Sequence, residues 1–192
     1  YKKHFSSFDL KISTPNLKKT VIKNIKLNLM GAYNILNSVS AIALCLHIGI
    51  SFKIIRNSLY KFSGIQRRLN KVLVKGKIEF FDDYAHHPTE IKSVLKSVRN
   101  TNLKRKIISV FQPHRYSRVN SLKNEFASSF KKSDVVVLCP VYSAGEKDNK
   151  NFDQNKFSEQ IVNKSKVQLV NIENKNDLVN YFKKNLLGEE LV

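Results

Sequence analysis

Apolar and polar residues alternate in two short stretches near the start of the chain, at 8–12 and 25–29. Alternation with a period of two gives a strand one buried and one exposed face, so both stretches are predicted to be strands. From Ala32 to His47 the apolar residues instead recur at helical spacing, and a second helical pattern runs from Phe52 to Phe62. The first part of the chain is therefore predicted to contain two strands followed by two helices.

The remainder of the chain shows a more regular pattern. Two apolar runs, 72–74 and 78–81, flank Lys75-Gly76-Lys77 and predict a β-hairpin. Beyond it, helices are predicted at 89–99, 121–131, 153–163 and 175–187, and strands at 107–111, 135–139 and 167–172. Strands that alternate with helices of this length form βαβ units, so the sequence predicts an α/β fold with a mostly parallel sheet.

A turn-like stretch at 63–68 separates these two patterns. Its glycine and its polar residues favour a break between elements, and we place a domain boundary there, with units at 1–63 and 64–192. At the other end of the second unit, Glu190-Leu191-Val192 resembles the first residues of another strand.

Two runs of polar residues, 82–90 and 111–118, follow predicted strands of the second unit. Each run turns at a proline and precedes a helical pattern. Open α/β sheets bind ligands at the carboxyl ends of their strands, so we expect these two runs to converge. Aspartate, tyrosine, histidine and arginine together suit a small charged substrate better than they suit a packed core.

The balance of charge adds an alternative function. Lysine and arginine number 34 against 15 acidic residues, which gives a formal net charge of +19. Such an excess is typical of proteins with polyanionic partners, so the alternative is a basic nucleic-acid-binding α/β module. The lysines are scattered, however, and no aromatic and basic RNA-binding signature accompanies them. Compositional drift is the simpler explanation, and no nucleic-acid partner is expected.

Cysteine usage and hydropathy indicate the compartment. Cys45 and Cys139 stand among apolar residues, and two cysteines in a chain of this length indicate no disulfide framework. The longest apolar stretch, 39–50, is shorter than the ~20 residues that a membrane span needs. No signal peptide is predicted, and a cytoplasmic protein without a membrane partner is expected. The first residue is Tyr1 rather than Met, which favours a piece of a longer protein.

Candidate nucleotide-binding residues occur at three places. Asn34 and Asn37 share a face of the first turn of a predicted helix, where free N–H groups favour an anion. Helix capping by asparagine is the alternative. Arg67-Arg68 can pair with phosphate or stack on a purine, or be merely solvated. Asp82-Asp83 can bind ribose hydroxyls or a metal-bound water, or form an Asx turn.

The polar runs also carry candidate ligands for a small acid. One ring of His86-His87 can orient a substrate group, whereas adjacent histidines do not easily reach one metal, so no metal site is predicted. Arg115 and Arg118 are three residues apart, and two converging guanidiniums form a carboxylate clamp. The alternative is a surface pair bridged to Glu125 or Asp134.

Five motifs, in order along the chain, resemble those of the Mur ligase family. Residues 31–37 resemble Gly-x-His-Asn-x-x-Asn, with tyrosine where histidine is usual, and 64–68 resemble Gly-x-x-Arg-Arg. Residues 82–90 match Asp-Asp-Tyr-x-His-His-Pro-Thr-Glu, and 111–118 match Phe-Gln-Pro-His-Arg-Tyr/Phe-Thr/Ser-Arg. Residues 141–146 resemble the turn that contains Tyr-x-Ala-Gly-Glu. The two long motifs are specific to the alanine-adding member of the family.

This resemblance implies a fold and an activity. The activity is ATP-dependent ligation of L-alanine to UDP-N-acetylmuramate through an acyl phosphate, in peptidoglycan biosynthesis. The fold is a Rossmann-like C-terminal ligase domain at 64–192, incomplete at its end, preceded at 1–63 by the tail of a central ATPase domain. ATP and Mg²⁺ are the implied cofactors. The murein-peptide recycling ligase of the same family and a regulatory nucleotide-binding domain stay as alternatives.

The resemblance also implies roles for eight residues. Those implied for ATP are Asn34, Asn37, Arg68 and Asp83. Those implied for L-alanine are Tyr84, His86, Arg115 and Arg118, with the arginines on its carboxylate. No residue is assigned to catalysis, and the metal ligands are expected elsewhere. The chain contains no Gly-x-x-x-x-Gly-Lys-Ser/Thr loop, so we expect the phosphate loop and the UDP-sugar domain in missing segments, and an inactive chain without them.

Overall fold

A computed structural model of the chain describes residues 6–14, 17–29, 31–147 and 152–192. It divides into a first unit that ends at Gln66 and a second unit that spans Arg67–Val192. Within the described ranges, none of the helices has the length and apolar character needed to cross a bilayer.

The first unit is a two-stranded antiparallel hairpin with two helices. The elements are β1 (Ser6–Thr14), β2 (Leu17–Leu27), α1 (Ala32–His47) and α2 (Phe52–Lys61). Ile25, Ile42 and Ile55 form their shared core. The second strand begins before the stretch predicted at 25–29. Asn24, with φ 55°, interrupts the alternation of apolar and polar residues, so the pattern did not reveal the part of the strand that precedes it. Both helices lie where the sequence predicts them.

The second unit contains a hairpin and a parallel sheet. The hairpin is β3 (Asn70–Lys75) with β4 (Ile78–Asp82), and the parallel strands are β5 (Ile108–Phe111), β6 (Val135–Leu138) and β7 (Gln168–Asn171), in that order. The helices are α3 (Pro88–Thr101), α4 (Tyr116–Ser121), α5 (Lys123–Ala127), α6 (Gln154–Ser165) and α7 (Lys175–Asn185). Strands β5 to β7 are separated by helices along the chain, which confirms the predicted α/β class.

Residues 190–192 join the hairpin to the parallel sheet. On one side, the N–H groups of Glu79 and Phe81 donate to the carbonyls of Glu190 (3.1 Å) and Val192 (2.7 Å). On the other side, the N–H of Ile108 donates to the carbonyl of Leu191 (2.8 Å). Leu191 pairs in parallel with residues of both neighbours. These residues therefore act as a short strand between β4 and β5, as the sequence pattern predicts.

Arg105 fastens this short strand from the side. Its Nη1 donates to Glu79 Oε1 (2.7 Å), its Nε to the Glu189 carbonyl (2.9 Å) and its Nη2 to the Glu190 carbonyl (3.0 Å). The same Nη2 also reaches the carbonyl of Lys77. One guanidinium thus binds both the hairpin and the segment that pairs with it.

The core of the second unit lies on both faces of its sheet. On one face, Phe126, Phe130 and Phe157 are almost wholly buried against Val136. On the other face, Ile108, Val135, Val137 and Ile172 pack with side chains of α7. The central strand β6 is therefore buried at every position, which is why Val135–Leu138 is a continuous apolar run.

The helix predicted at 121–131 is wrong. The structure has two short helices there, α4 and α5, which meet at Leu122, and the second ends at Ala127. The hydroxyls of Ser128 and Ser129 both donate to the carbonyl of Glu125. Serine side chains that bond to nearby carbonyls compete with the helical hydrogen-bond pattern, which explains the early end.

Candidate functional site

Three loops of the second unit meet at one edge of its sheet. They follow β4, β5 and β6, and comprise residues 83–87, 112–115 and 139–146. Strand β4 and strand β5 both run parallel to residues 190–192, and β6 runs parallel to β5. All three strands therefore end at the same edge, which is where the two polar runs were predicted to converge.

Asp83 ties the loop after β4 to the start of the unit. Its Oδ1 accepts the N–H of Ala85 (2.7 Å), which is the Asx turn weighed as an alternative, and its Oδ2 accepts the N–H of Leu69 (2.8 Å). The carbonyl of Arg67 accepts the N–H of Tyr84 (2.8 Å). Arg67 and Leu69 both have positive φ, 59° and 50°, so these bonds hold a strained turn in place.

Burial raises the pKa of the Asp83 carboxyl above its ordinary value. The two backbone N–H groups and the charge of Arg68 act in the opposite direction but do not offset the burial. The nearby charge of Glu90 adds to the increase. Asp83 is thus a partly desolvated acid whose oxygens are already oriented.

The adjacent arginines differ in how far they are engaged. The guanidinium of Arg67 lies 4.7 Å from the centroid of the Tyr84 ring, and its Nε is 3.5 Å from Asp82 Oδ2. The Arg68 Nη1 is 3.8 Å from Glu90 Oε1, and 48% of its side chain is exposed. Arg67 is therefore held by cation–π and ionic contacts, whereas Arg68 has one long ionic contact among the described residues, although the Arg67 side chain is the more exposed at 61%.

Glu90 organises the start of α3. Its Oε2 accepts the N–H groups of His86 (3.1 Å) and His87 (3.2 Å), while the N–H of Thr89 donates to His87 Nδ1 (3.3 Å). These bonds form a capping box, with Pro88 at the first helical position as the sequence predicts. Burial raises the pKa of Glu90, but the two N–H bonds and the charges of His86 and Arg68 outweigh it, so the net pKa is lowered.

Aromatic rings connect the three loops. The His86 ring centroid lies 5.0 Å from that of Tyr84 and 6.1 Å from that of His114, and the His114 centroid lies 5.2 Å from that of Tyr142. The backbones of His114 and Tyr142 also form a parallel bridge. One row of rings therefore crosses the edge where the strands end.

His114 lies at the centre of this row. Its Nδ1 is buried and has no hydrogen-bond partner in the described part of the chain. Burial lowers the pKa of His114, and the charges of Arg118, His86 and Arg115 lower it further, against an opposing effect of Glu146. A pKa below the ordinary value of 6.5 keeps this imidazole neutral at pH 7.

The two arginines predicted to form a carboxylate clamp lie at the start of α4. Arg115 is the residue before the helix, with φ 70°, and its N–H donates to the Tyr142 carbonyl (2.8 Å). Arg118 has a buried Nη1 with no hydrogen-bond partner among the described residues. Neither arginine pairs with Glu125 or Asp134 in those ranges, so the surface-pair alternative is wrong.

The acids near the arginines are engaged elsewhere. Asp134 instead pairs with Arg99, with 2.6 Å between Oδ2 and Nη2. Glu146 accepts the hydroxyl and the N–H of Ser117 (2.5 and 3.1 Å), and these bonds together with the charge of Arg115 lower its pKa. Among the described residues, neither acid satisfies the buried Nη1 of Arg118.

The structure gathers the four residues implied for L-alanine around His114. Ring contacts connect Tyr84 to His86 and His86 to His114, and the charges of Arg115 and Arg118 act on His114. The asparagines implied for ATP lie in the first unit, on the first turns of α1. The position before that helix is Gly31, so neither asparagine occupies the capping position that was the alternative.

The residues implied for ATP in the second unit lie close together. Arg68 and Asp83 influence each other electrostatically beside Glu90. The described ranges contain no group of three or more histidine, cysteine, aspartate or glutamate side chains suited to a metal ion.

His114, Glu90 and Tyr142 had no role in the sequence-based assignment. All three stand inside motifs that resemble the family's, so the motifs pointed to them without giving a function. The contacts of Glu90 are local, with His86 and His87, whereas that between His114 and Tyr142 joins two loops that are distant in the chain.

Comparisons with known proteins identify the family. A family model described as Mur ligase, glutamate ligase domain, matches residues 67–192, which is most of the chain. The matched residues coincide with the second unit of the structure.

Curated relatives extend the similarity to the whole chain. A UDP-N-acetylmuramate–L-alanine ligase of Pelagibacter ubique is 47% identical over 99% of this chain and 41% of its own length. A ligase of the same name from Clostridium acetobutylicum is 46% identical over 95% of this chain and 38% of its own length. The chain thus spans about two fifths of the length of these relatives.

Solved structures show the same fold. The UDP-N-acetylmuramate–alanine ligase of Thermotoga maritima aligns with a TM-score of 0.67 and 24% identity, over 90% of this chain and 37% of that one. A murein peptide ligase of Psychrobacter arcticus aligns with the same TM-score at 19% identity, over 97% of this chain and 40% of that one. Together with the family model and the curated relatives, this fold shows that the chain belongs to the Mur ligase family.

Proposed function

We propose that this chain carries the amino-acid site and part of the nucleotide site of an enzyme that joins L-alanine to UDP-N-acetylmuramate. The observation that carries the proposal is the convergence of Arg115, Arg118, Tyr84 and His86 around His114. The names of the curated relatives supply the two substrates. The enzyme would act in the cytoplasm, where peptidoglycan precursors are assembled.

The amino acid is held first by its carboxylate. Arg118 offers a guanidinium nitrogen that no described residue satisfies, and an unpaired buried N–H of a cation is costly. Arg115 lies at the start of the same helix, so a carboxylate can bridge both guanidiniums. The neutral His114 beside them adds no further positive charge, which favours a substrate that also carries an ammonium group.

ATP is the proposed cofactor, with Asn34 and Asn37 as candidate contacts in the first unit and Arg68 and Asp83 as candidate contacts in the second. The chemistry of these side chains fits a nucleotide. Asp83 is fixed by two backbone N–H groups, and its remaining lone pairs can accept from ribose hydroxyls, while Arg68 is exposed enough to bind phosphate or stack on a base. When bound, ATP supplies the phosphoryl group that activates the carboxylate of the sugar substrate as an acyl phosphate.

The proposed domain organisation rests on the fact that the chain spans only part of the length of its relatives. Residues 1–63 would be the tail of the central ATPase domain, and 64–192 the larger part of the C-terminal ligase domain. The phosphate loop and the UDP-sugar domain would then lie in other segments of the same protein. The proposed division falls close to the boundary between Gln66 and Arg67.

The test is an enzyme that contains all the required parts. A chimaera would carry this chain in place of the matching segment of the Pelagibacter ubique relative. Phosphate release would be measured with UDP-N-acetylmuramate, ATP and either L-alanine, glycine or L-serine. We expect release that depends on both substrates and is fastest with L-alanine. Release that is unaffected by any amino acid, or a requirement for a murein peptide, would contradict the proposal.

A further inference from the structure

We propose that His86 is the general base that takes a proton from the amine of the amino acid, and that Glu90 and the Tyr84 carbonyl orient its ring. This inference rests on the proposed function and concerns the same site. The family resemblance implied only that His86 helps to hold L-alanine, and it gave Glu90 no role.

The first step of the argument is the tautomer of His86. Its Nδ1 lies 2.9 Å from the carbonyl oxygen of Tyr84. A carbonyl oxygen can only accept, so Nδ1 carries the proton and the neutral ring has its lone pair on Nε2. The His86 side chain is 32% exposed, and no described residue hydrogen bonds to Nε2. The lone pair is therefore free to meet a ligand.

The second step is the carboxylate beside Nδ1. Glu90 Oε2 lies 3.7 Å from His86 Nδ1, and the same oxygen accepts the N–H groups of His86 and His87. Those bonds fix the carboxylate on the first turn of α3, and its lowered pKa keeps it ionised at neutral pH. A fixed negative charge beside the ring stabilises the imidazolium that forms when Nε2 accepts a proton.

The third step distinguishes His86 from its neighbour His114. The positive charges of Arg115 and Arg118 disfavour a protonated His114. In addition, the Nδ1 of His114 has no acceptor among the described residues. An imidazolium at His114 would therefore leave a buried N–H unsatisfied. The groups that face His86 are Glu90 from α3, Tyr84 from its own loop and the neutral His114 from the loop after β5. Only at His86 is the added charge compensated.

The reaction needs such a base because a bound amino acid is an ammonium ion and has no lone pair with which to attack. As the amide forms, this nitrogen loses two protons. The C–N bond forms at the carbonyl carbon of the acyl phosphate, and the bond from that carbon to the phosphate oxygen breaks. One proton goes to His86 Nε2, and the other leaves with the departing hydrogen phosphate. One carbon separates the amine from the carboxylate at the arginines, which keeps the amine beside the histidine rings.

The decisive experiment compares two nucleophiles in the chimaera. Hydroxylamine is already unprotonated at neutral pH and captures acyl phosphates as hydroxamates, so it needs no base. We expect His86→Ala to lower kcat with L-alanine by about 10²- to 10⁴-fold, the usual contribution of a general base. Hydroxamate formation should be unchanged, and added imidazole should restore part of the reaction with L-alanine.

The outcomes separate the two proposals. An equal loss of amide and hydroxamate would show that His86 acts before the amine attacks, and would overturn its role as base. A chimaera with the unaltered chain that forms no hydroxamate would overturn the acyl-phosphate reaction, and the base with it. His87→Asn is the matched control, because asparagine also caps helices, and its kcat should stay within about twofold of the parent value.

Glu90 is tested as a positioning residue. Glu90→Gln retains an acceptor for the capping box but removes the charge. We expect kcat with L-alanine to fall about tenfold, with KM little changed and with the acidic limb of the pH profile moved to lower pH, because the imidazolium loses the negative charge that stabilises it. An unchanged pH profile would contradict this role.

¹⁵N chemical shifts of the imidazoles, measured in the 192-residue chain itself, should show the proton of neutral His86 on Nδ1. A proton on Nε2 would overturn the inference without any assay of activity.

Discussion

Single residues at this site differ in how far the protein has already satisfied their polar atoms. Both oxygens of Asp83 accept backbone N–H groups, and Glu90 accepts two more. Arg118 and His114 each retain a buried nitrogen without a partner in the described part of the chain. The first pair is already bonded to the backbone of the loops, whereas the second pair has polar atoms that the described residues leave unsatisfied.

Arg118→Ala in the chimaera should selectively impair use of L-alanine. Loss of a charge-assisted contact to a carboxylate is expected to reduce kcat/KM for L-alanine by about 2–4 kcal/mol, mainly through a higher KM. The comparison variant is Arg68→Ala, which should raise the KM for ATP instead. Steady-state kinetics with each substrate varied in turn measures both effects. Unchanged alanine kinetics in Arg118→Ala would refute the clamp.

The sequence predicted which loops meet at one edge of the sheet but not how their side chains interact. Polar residues after two strands placed Tyr84, His86, Arg115 and Arg118 at one edge, because parallel strands end together. The pairing of His114 with Tyr142 involves a third loop, and no periodicity in the sequence reports on such a contact. The Asx turn at Asp83 was foreseen only as an alternative, since side-chain bonds to the backbone depend on local geometry.

At the scale of elements, strong periodicity was a reliable guide where the hydrophobic pattern was long. Helix α1 begins and ends where the spacing predicts. The prediction failed at 121–131, where serine hydroxyls interrupt an apolar pattern that continues past them. Hydrophobic spacing indicates which residues face the core, but it does not detect competition for backbone carbonyls.

Glu190 shows how one element depends on a buried acid. Its side chain is almost fully buried, and its oxygens accept the N–H groups of Leu187 (2.8 Å), Gly188 (2.9 Å) and Glu189 (3.1 Å). Burial raises the pKa of Glu190, but these N–H groups outweigh it and lower the net value. The turn that leads into the short strand between β4 and β5 is thus held by an ionised carboxylate.

Glu190→Gln should destabilise the second unit by about 1–3 kcal/mol at pH 7, because the amide NH₂ cannot accept these bonds. The folded pKa is the lower one, so the stabilisation is complete above the ordinary value of 4.5 and disappears as pH falls through the folded value. Urea unfolding of both proteins at pH 7 and pH 3 measures the difference. Glu189→Gln, at an exposed neighbour, should change stability little. An equal loss for Glu190→Gln at both pH values would argue against the charge.

At the scale of the whole molecule, the proposed ATP residues are distributed over two units. Asn34 and Asn37 belong to the first, and Arg68 and Asp83 to the second. The scattered positive charge gives neither unit a nucleic-acid signature, and the site residues account for only a few of the 34 basic side chains. The likeness to known ligases extends over both units, although the family model matches the second alone.

The 192-residue chain on its own should not form amide from L-alanine, UDP-N-acetylmuramate and ATP. The physical reason is the lack of a phosphate-binding loop in its sequence, without which the sugar carboxylate is not activated. Mass spectrometry of the reaction mixture, with the chimaera as positive control, provides the measurement. ATP-dependent amide in the sample with the chain alone would contradict the proposed organisation.

The place of residues 190–192 in the sheet has a consequence for the order of folding. Their partners Glu79 and Ile107 are synthesised long before them, and no direct pairing in the described structure joins β4 to β5. During synthesis, the edges of β4 and β5 that pair with these residues therefore have no partner until residues 190–192 have been made. Contacts of such long sequence separation slow folding and leave unpaired edges exposed to other chains. If the second unit needs chaperones during synthesis, we expect the cause to be the late appearance of these three residues and not the size of the unit.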